Sequence, residues 1–289
     1  MNEWLVATIL GLIQGTLEWL PVSSEGSVAL ALTAMDVGES AVADTQFALF
    51  LHVGTALAAT VYYRADVADV LRDVPDWRPR TAFETDADLS FLAIATLASF
   101  ATGGVAYLTL ETVVSSISGG AFVALIGALL VGTGVLQKVA ERGEDPGASE
   151  ERTDGGSTRE QPLESRSDVT LLDALLVGSL QGLAILPGVS RSGTTVSVLL
   201  LRGHPGESSL RLSFLLSIPA ALAAGALVLV EVGIPSIAPG PAALALSISA
   251  VVGYLTVGAL VALVRRVAFW GVCVGFGGLA VVGGTLLLV

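Results

Sequence analysis

Residues 11–26 read GLIQGTLEWLPVSSEG, and residues 178–193 read GSLQGLAILPGVSRSG. Each stretch begins as an apolar helix and then breaks at proline, glycine and hydroxyl side chains. Laid one over the other, Gly11, Gln14, Gly15, Val22, Ser23 and Gly26 match Gly178, Gln181, Gly182, Val189, Ser190 and Gly193. The surrounding chain has 289 residues, 53% of them hydrophobic and only 14% charged, against about 25% charged in soluble domains. Mean hydropathy is +0.78. Long apolar runs with so few charges imply a polytopic membrane protein. Six runs meet the need for roughly 20 apolar residues: 45–63, 90–108, 119–137, 210–232, 242–264 and 267–288. The regions 3–35 and 171–202 are broken, and their halves are too short to cross. Non-helical backbone at membrane depth is tolerated only where protein or water satisfies it. Each region therefore reads as a re-entrant helix–loop–helix hairpin.

Arginine sets the orientation. Arg64, Arg72, Arg78 and Arg80 lie in the connection 64–89; Lys138, Arg142, Arg152, Arg159 and Arg166 lie in 138–170; Arg265 and Arg266 form the last turn. Connections 36–44, 109–118 and 233–241 carry no Lys or Arg. The two sets alternate, so the first set is cytoplasmic by the positive-inside rule, and both termini face outside. Each half is one hairpin plus three spans, an odd number, so the second copy is inverted. The expected fold is all-α and integral to the cell membrane: an inverted-topology repeat with six spanning helices and two re-entrant hairpins. Residues 1–138 form the first repeat and 171–289 the second. The stretch 139–170, rich in Gly, Ser and Glu, reads as a disordered cytoplasmic linker. Inverted repeats with paired broken helices put a polar site at the repeat interface.

Charge and cysteine narrow the field. Net charge is −12, which argues against nucleic acid as a partner. Lys138 is the only lysine, a balance typical of salt-adapted proteins. Cys273 is single, so there is no disulfide framework. No basic region precedes the first apolar run, so no cleavable signal peptide is expected.

The chemistry sits in the breaks. Ser190, Ser192 and Thr195 are hydroxyl donors, Gly193 lets backbone N–H groups approach a ligand, and Arg191 offers a planar fork that suits phosphate. A half-helix over 195–202 would aim its N-terminus at the same anion. In the first hairpin Gln14 and Glu18 share a face at i, i+4 spacing. A carboxylate at membrane depth needs a metal, a proton or an arginine as partner, and Arg191 is the obvious candidate. Ser23, Ser24, Glu25 and Ser27 add hydroxyls and a second carboxylate. His52 reads as a core histidine or a helix–helix hydrogen bond, and His204 as a loop residue without chemistry. Facing hydroxyls, a carboxylate and an arginine permit phosphate-ester cleavage, and membrane burial implies a lipid substrate.

EWLPVSSEGS (18–27), FALFLHVGTALAATVYYRADV (47–67), LPGVSRSGTT (186–195) and RLSFLLSIPAALAAG (211–225) together resemble the undecaprenyl-pyrophosphate phosphatase family, also called the bacitracin-resistance protein family. The resemblance runs over nearly the whole chain except 139–170. It implies removal of the terminal phosphate of a polyprenyl diphosphate, with recycling of the lipid carrier for envelope glycans and help from a divalent cation, Mg or Ca. It implies Ser24 as nucleophile and Glu18 as base or metal ligand. Ser190, Arg191, Ser192 and Thr195 fall on the diphosphate-binding positions, Ser23 and Ser24 on the paired serines, and Ser27 and Gln14 would be polar support. The expected partners are that lipid, bulk membrane lipid and a second copy of the chain. Three departures stand out. Gln14 replaces a common glutamate, Ser27 replaces a histidine implicated in catalysis, and Ala48 replaces a frequent acid. Glu25 and Glu18 are then the candidates for the proton work. A salt-adapted archaeal chain with a dolichyl-type carrier fits the composition. The rival reading is a lipid-phosphate transporter or flippase that binds without hydrolysis.

Overall fold

The computed structural model describes residues 2–37, 40–114, 117, 119–144, 168–233, 238–264 and 267–288. Among these residues all regular structure is helical. The elements are α1 (Glu3–Leu17), α2 (Ser24–Ala34), α3 (Ala41–Tyr62), α4 (Arg64–Asp73), α5 (Ala82–Thr85), α6 (Ala87–Val114), α7 (Gly120–Glu144), α8 (Leu171–Gly182), α9 (Arg191–Leu201), α10 (Gly206–Glu231), α11 (Pro239–Val264) and α12 (Phe269–Leu286). Six of them carry a stretch long and apolar enough to cross a bilayer: 42–62, 87–109, 120–141, 206–231, 239–263 and 269–286. They coincide with the six runs read from sequence. The connection 64–89 contains two short helices, α4 and α5. It is tied to the core by Arg211 of α10, whose Nε lies 2.5 Å from Asp66 and Nη1 2.6 Å from Asp88. Helix α7 continues past 138 to Glu144. The rest of the expected linker, 145–167, and the pair Arg265–Arg266 lie outside the described residues.

The two broken regions fold as two short helices each. α1 ends at Leu17 and α2 begins at Ser24; α8 ends at Gly182, passes through a 3-10 turn at Leu183–Ile185, and α9 begins at Arg191. Helix α9 therefore starts before the expected 195. The cause is local: Ser190 is its N-cap, with Oγ accepting from Gly193 N at 3.2 Å, which satisfies an orphan donor of the first turn. Ser23 caps α2 in the same way, accepting from Gly26 N at 3.2 Å. The ends of the second hairpin are also joined. Thr170 and Asp173 form a capping box at the start of α8. Asp173 also accepts from Arg202 Nε, at the end of α9, at 2.5 Å. Burial alone would raise the Asp173 pKa, but the bonds from Arg202 and Thr170 outweigh it and bring it to about 2.

The first leg of each hairpin packs on the other half of the chain. α1 lies on α11: a Cβ on Gly11 would fall 2.6 Å from the Ala245 carbonyl oxygen, and one on Gly15 2.9 Å from that of Ser249. α8 lies on α6, with Gly178 against the backbone of Ala95 and Gly182 against that of Ser99 and Gly103. These four glycines are among the positions shared by the two stretches 11–26 and 178–193. Close backbone approach of this kind is how membrane helices associate. The carbonyls freed by the first break find donors elsewhere. Leu20 O accepts from Ser192 Oγ at 3.2 Å. Pro21 O accepts from Gln137 Nε2 at 2.8 Å and from the Cys273 thiol at 3.0 Å.

Candidate active site

The tips of the two hairpins meet. Gly188 N, in the second, donates to Ser23 Oγ, in the first, at 3.0 Å. Ser23 holds φ 59°, a left-handed backbone that a serine rarely adopts. The contact and the cap together stabilise it. This geometry sets Ser24 and Arg191 as the first residues of α2 and α9, both turned into the space between the hairpins.

Glu18 closes that space. It is 4% exposed, and its Oε2 accepts from Ser24 Oγ at 2.6 Å and from Gln14 Nε2 at 2.8 Å. Its Oε1 is bound by Arg191 Nη2. The Glu18–Arg191 pair expected from sequence is thus formed. The other two guanidinium nitrogens, Arg191 Nε and Nη1, are buried without a hydrogen-bond partner, as is Gln14 Oε1. Buried donors of a charged group are costly to leave unmade, so this edge is built to receive an acceptor. Arg191 lines a cavity of about 290 Å³ together with Glu25, His52, Ser99 and Gln181. The remaining wall is small or apolar, with Gly103, Gly104 and Phe100 of α6 and Ala220, Ala223 and Ala224 of α10. Phe100 is 45% exposed on the outer surface of α6.

His52 of α3 is buried, as a core histidine would be, and its ring reaches residues of the first broken region. Its Nδ1 lies 2.7 Å from the Ala48 carbonyl, which can only accept, so Nδ1 carries a proton. Its Nε2 lies 3.2 Å from Glu18 Oε2, 3.1 Å from Glu25 Oε1 and 3.5 Å from Ser24 Oγ. A single histidine on an apolar helix gives no pattern to find, because its partners come from another element. His204 is a loop residue, as expected, and is buried with Nε2 3.2 Å from Asp173 Oδ2.

The other expected phosphate ligands are engaged within the protein. Ser23 and Ser190 cap helices, Ser192 satisfies Leu20 O, and Ser27 Oγ donates to Ser23 O at 2.9 Å. Thr195 Oγ1 lies 2.5 Å from Ser213 Oγ on α10. A Cβ on Gly193 would meet Gln137 Nε2 at 2.7 Å, so that glycine permits packing on α7. Ser192 and Gly193 line a second cavity of about 480 Å³, with Gln137 and Trp19. They do not line the one that holds Arg191. Glu18 does not suit the metal role. A guanidinium occupies one oxygen, and a hydroxyl, an amide and an imidazole crowd the other, so a cation would sit against a fixed positive charge. Among the described residues no group of three or more His, Cys, Asp or Glu is set to hold a metal.

The fold and the site define a polytopic, all-helical membrane protein with a buried charged cluster at the head of an apolar cavity. The profile of the bacitracin resistance protein BacA family matches residues 7–279, and the chain belongs to that family. It is 59% identical over 287 residues to an undecaprenyl-diphosphatase of Haloarcula marismortui, covering 99% of each chain. It is 38% identical over 281 residues to one of Methanococcoides burtonii, covering 95% of this chain and 96% of that one. One from Streptomyces griseus is 34% identical over 261 residues, covering 88% of this chain and 84% of the relative.

Proposed function

We propose that this chain hydrolyses the terminal phosphate of a polyprenyl diphosphate, undecaprenyl or dolichyl in type, and so returns the carrier lipid to envelope glycan synthesis. The observation that carries the reading is the half-paired Arg191: one nitrogen on Glu18, two buried and unpartnered, at the head of an apolar cavity. A diphosphate supplies the missing acceptors, and the Gly/Ala wall with exposed Phe100 suits an isoprenoid chain entering from the bilayer. Family membership and the undecaprenyl-diphosphatase activity named for the relatives support the same reaction.

On this reading Ser24 attacks the terminal phosphorus, Glu18 takes the hydroxyl proton it already binds, and Arg191 stabilises charge on the phosphoryl oxygens. The two broken regions are re-entrant hairpins of an inverted repeat. The reciprocal packing of α1 on α11 and of α8 on α6, at matched glycines, supports this. The arginine pattern supports a cell-membrane protein with both termini outside.

Release of inorganic phosphate from a polyprenyl diphosphate by the purified protein in detergent tests the reading. Arg191→Ala is expected to abolish it; full activity in that variant would sink the site. Lipid-phosphate binding without release by the wild type would favour a transporter.

A further inference from the structure

We infer that His52 is a catalytic residue of this chain and that it supplies, from helix α3, the imidazole that position 27 lacks. The inference rests on the phosphatase reading above. Four observations converge. His52 is 3% exposed, and the Ala48 carbonyl fixes its ring through Nδ1 at 2.7 Å. Its Nε2 therefore points at the chemistry, within 3.5 Å of the Ser24 hydroxyl. The same nitrogen lies between the two carboxylates of the first hairpin, 3.2 Å from Glu18 and 3.1 Å from Glu25. Finally, His52, Glu25 and Arg191 line one cavity, so the imidazole faces the place where phosphate would sit. A histidine kept only for packing does not need a carbonyl anchor on one nitrogen and three reactive groups around the other.

The geometry assigns a proton path. Ser24 Oγ bonds to the terminal phosphorus as the bridging P–O bond breaks, and that electron pair leaves on the lipid monophosphate. The hydroxyl proton goes to Glu18 Oε2, which already accepts it. His52 carries a proton on both nitrogens, Nδ1 against the Ala48 carbonyl and Nε2 between two carboxylates. Water then attacks the phosphoserine and gives one proton to Glu25. His52 Nε2 protonates the leaving serine oxygen and is recharged from Glu18, and inorganic phosphate leaves with the water oxygen. General acid–base groups contribute about 10²–10⁴-fold.

The test moves the imidazole. Ser27 is three residues beyond Ser24 on α2, so a side chain there shares its face. Phosphate release is measured for wild type, His52→Gln, and the double variant His52→Gln with Ser27→His, each checked for a monodisperse peak and a wild-type melting profile. The expected result is a fall in kcat of about 10²-fold or more in His52→Gln with KM little changed, and recovery of at least about tenfold in the double variant. Wild-type kcat in His52→Gln overturns the inference. So does a loss that Ser27→His does not restore, which would leave His52 a packing role. Absence of phosphate release by the wild type would instead sink the phosphatase reading itself.

Discussion

Ser24 and Arg191 hold the same place in two hairpins: each is the first helical residue after a serine cap, three residues ahead of the close-packed glycine pair Gly26 and Gly193 counted from that cap. Identical local scaffolding thus presents a hydroxyl from one side and a guanidinium from the other. The pairing of Glu18 with Arg191 was legible in the sequence, because two opposite charges at membrane depth must find one another. His52 was not, because its partners lie on a different helix. The hydroxyls around Arg191 are ambiguous in sequence for a related reason. Serine and threonine suit phosphate, but they suit broken backbone equally well, and composition does not separate the uses. Thr195 tests this. Replacing it with valine leaves Ser213 Oγ short of a partner in the interior, which costs about 1–3 kcal/mol. Thermal unfolding in detergent is expected to show that loss, while phosphate release, which Arg191→Ala abolishes, is retained.

At the scale of elements, the hairpins are held at different points. The first is fixed at its tip by the Ser23–Gly188 contact, and the second also at its open end, where Asp173 joins the start of α8 to the end of α9. Proline, glycine and serine announced where the helices stop, so the limits 3–35 and 171–202 fall on real elements. The start of α9 was missed because Ser190 lacks an acid three residues on, leaving its cap without the usual signature. Asp173→Asn is expected to lose the Arg202 bond and destabilise by about 1.5–3 kcal/mol. The effect depends on pH. The native carboxyl titrates near 2, below its ordinary value of about 3.9, so the stabilisation is complete above about pH 5. It fades as pH falls through about 4 toward 2. Melting curves of wild type and variant should therefore converge in that window and stay apart above it.

Across the whole molecule one close seam lies away from the chemistry. α7 and α12 approach so closely that a Cβ on Gly127 would fall 2.5 Å from the Gly277 carbonyl oxygen. The spans themselves were legible because apolar length alone marks them; the partner each span chooses was not, since every face is apolar. Gly127→Val is expected to cost about 1–3 kcal/mol by overpacking, read as a lower melting midpoint. The charged cluster, by contrast, is assembled from both halves of the chain: Glu18 and Arg191 are 173 positions apart. A ribosome adding about 5–20 residues per second therefore delivers Ser24, both carboxylates and His52 roughly seven seconds or more before Arg191. During that interval Ser23 lacks its Gly188 contact and Glu18 lacks its counter-charge, so the first hairpin has every reason to stay near water. The charged cluster is therefore complete only once the second half is made, and α11, the helix on which α1 packs, is made later still.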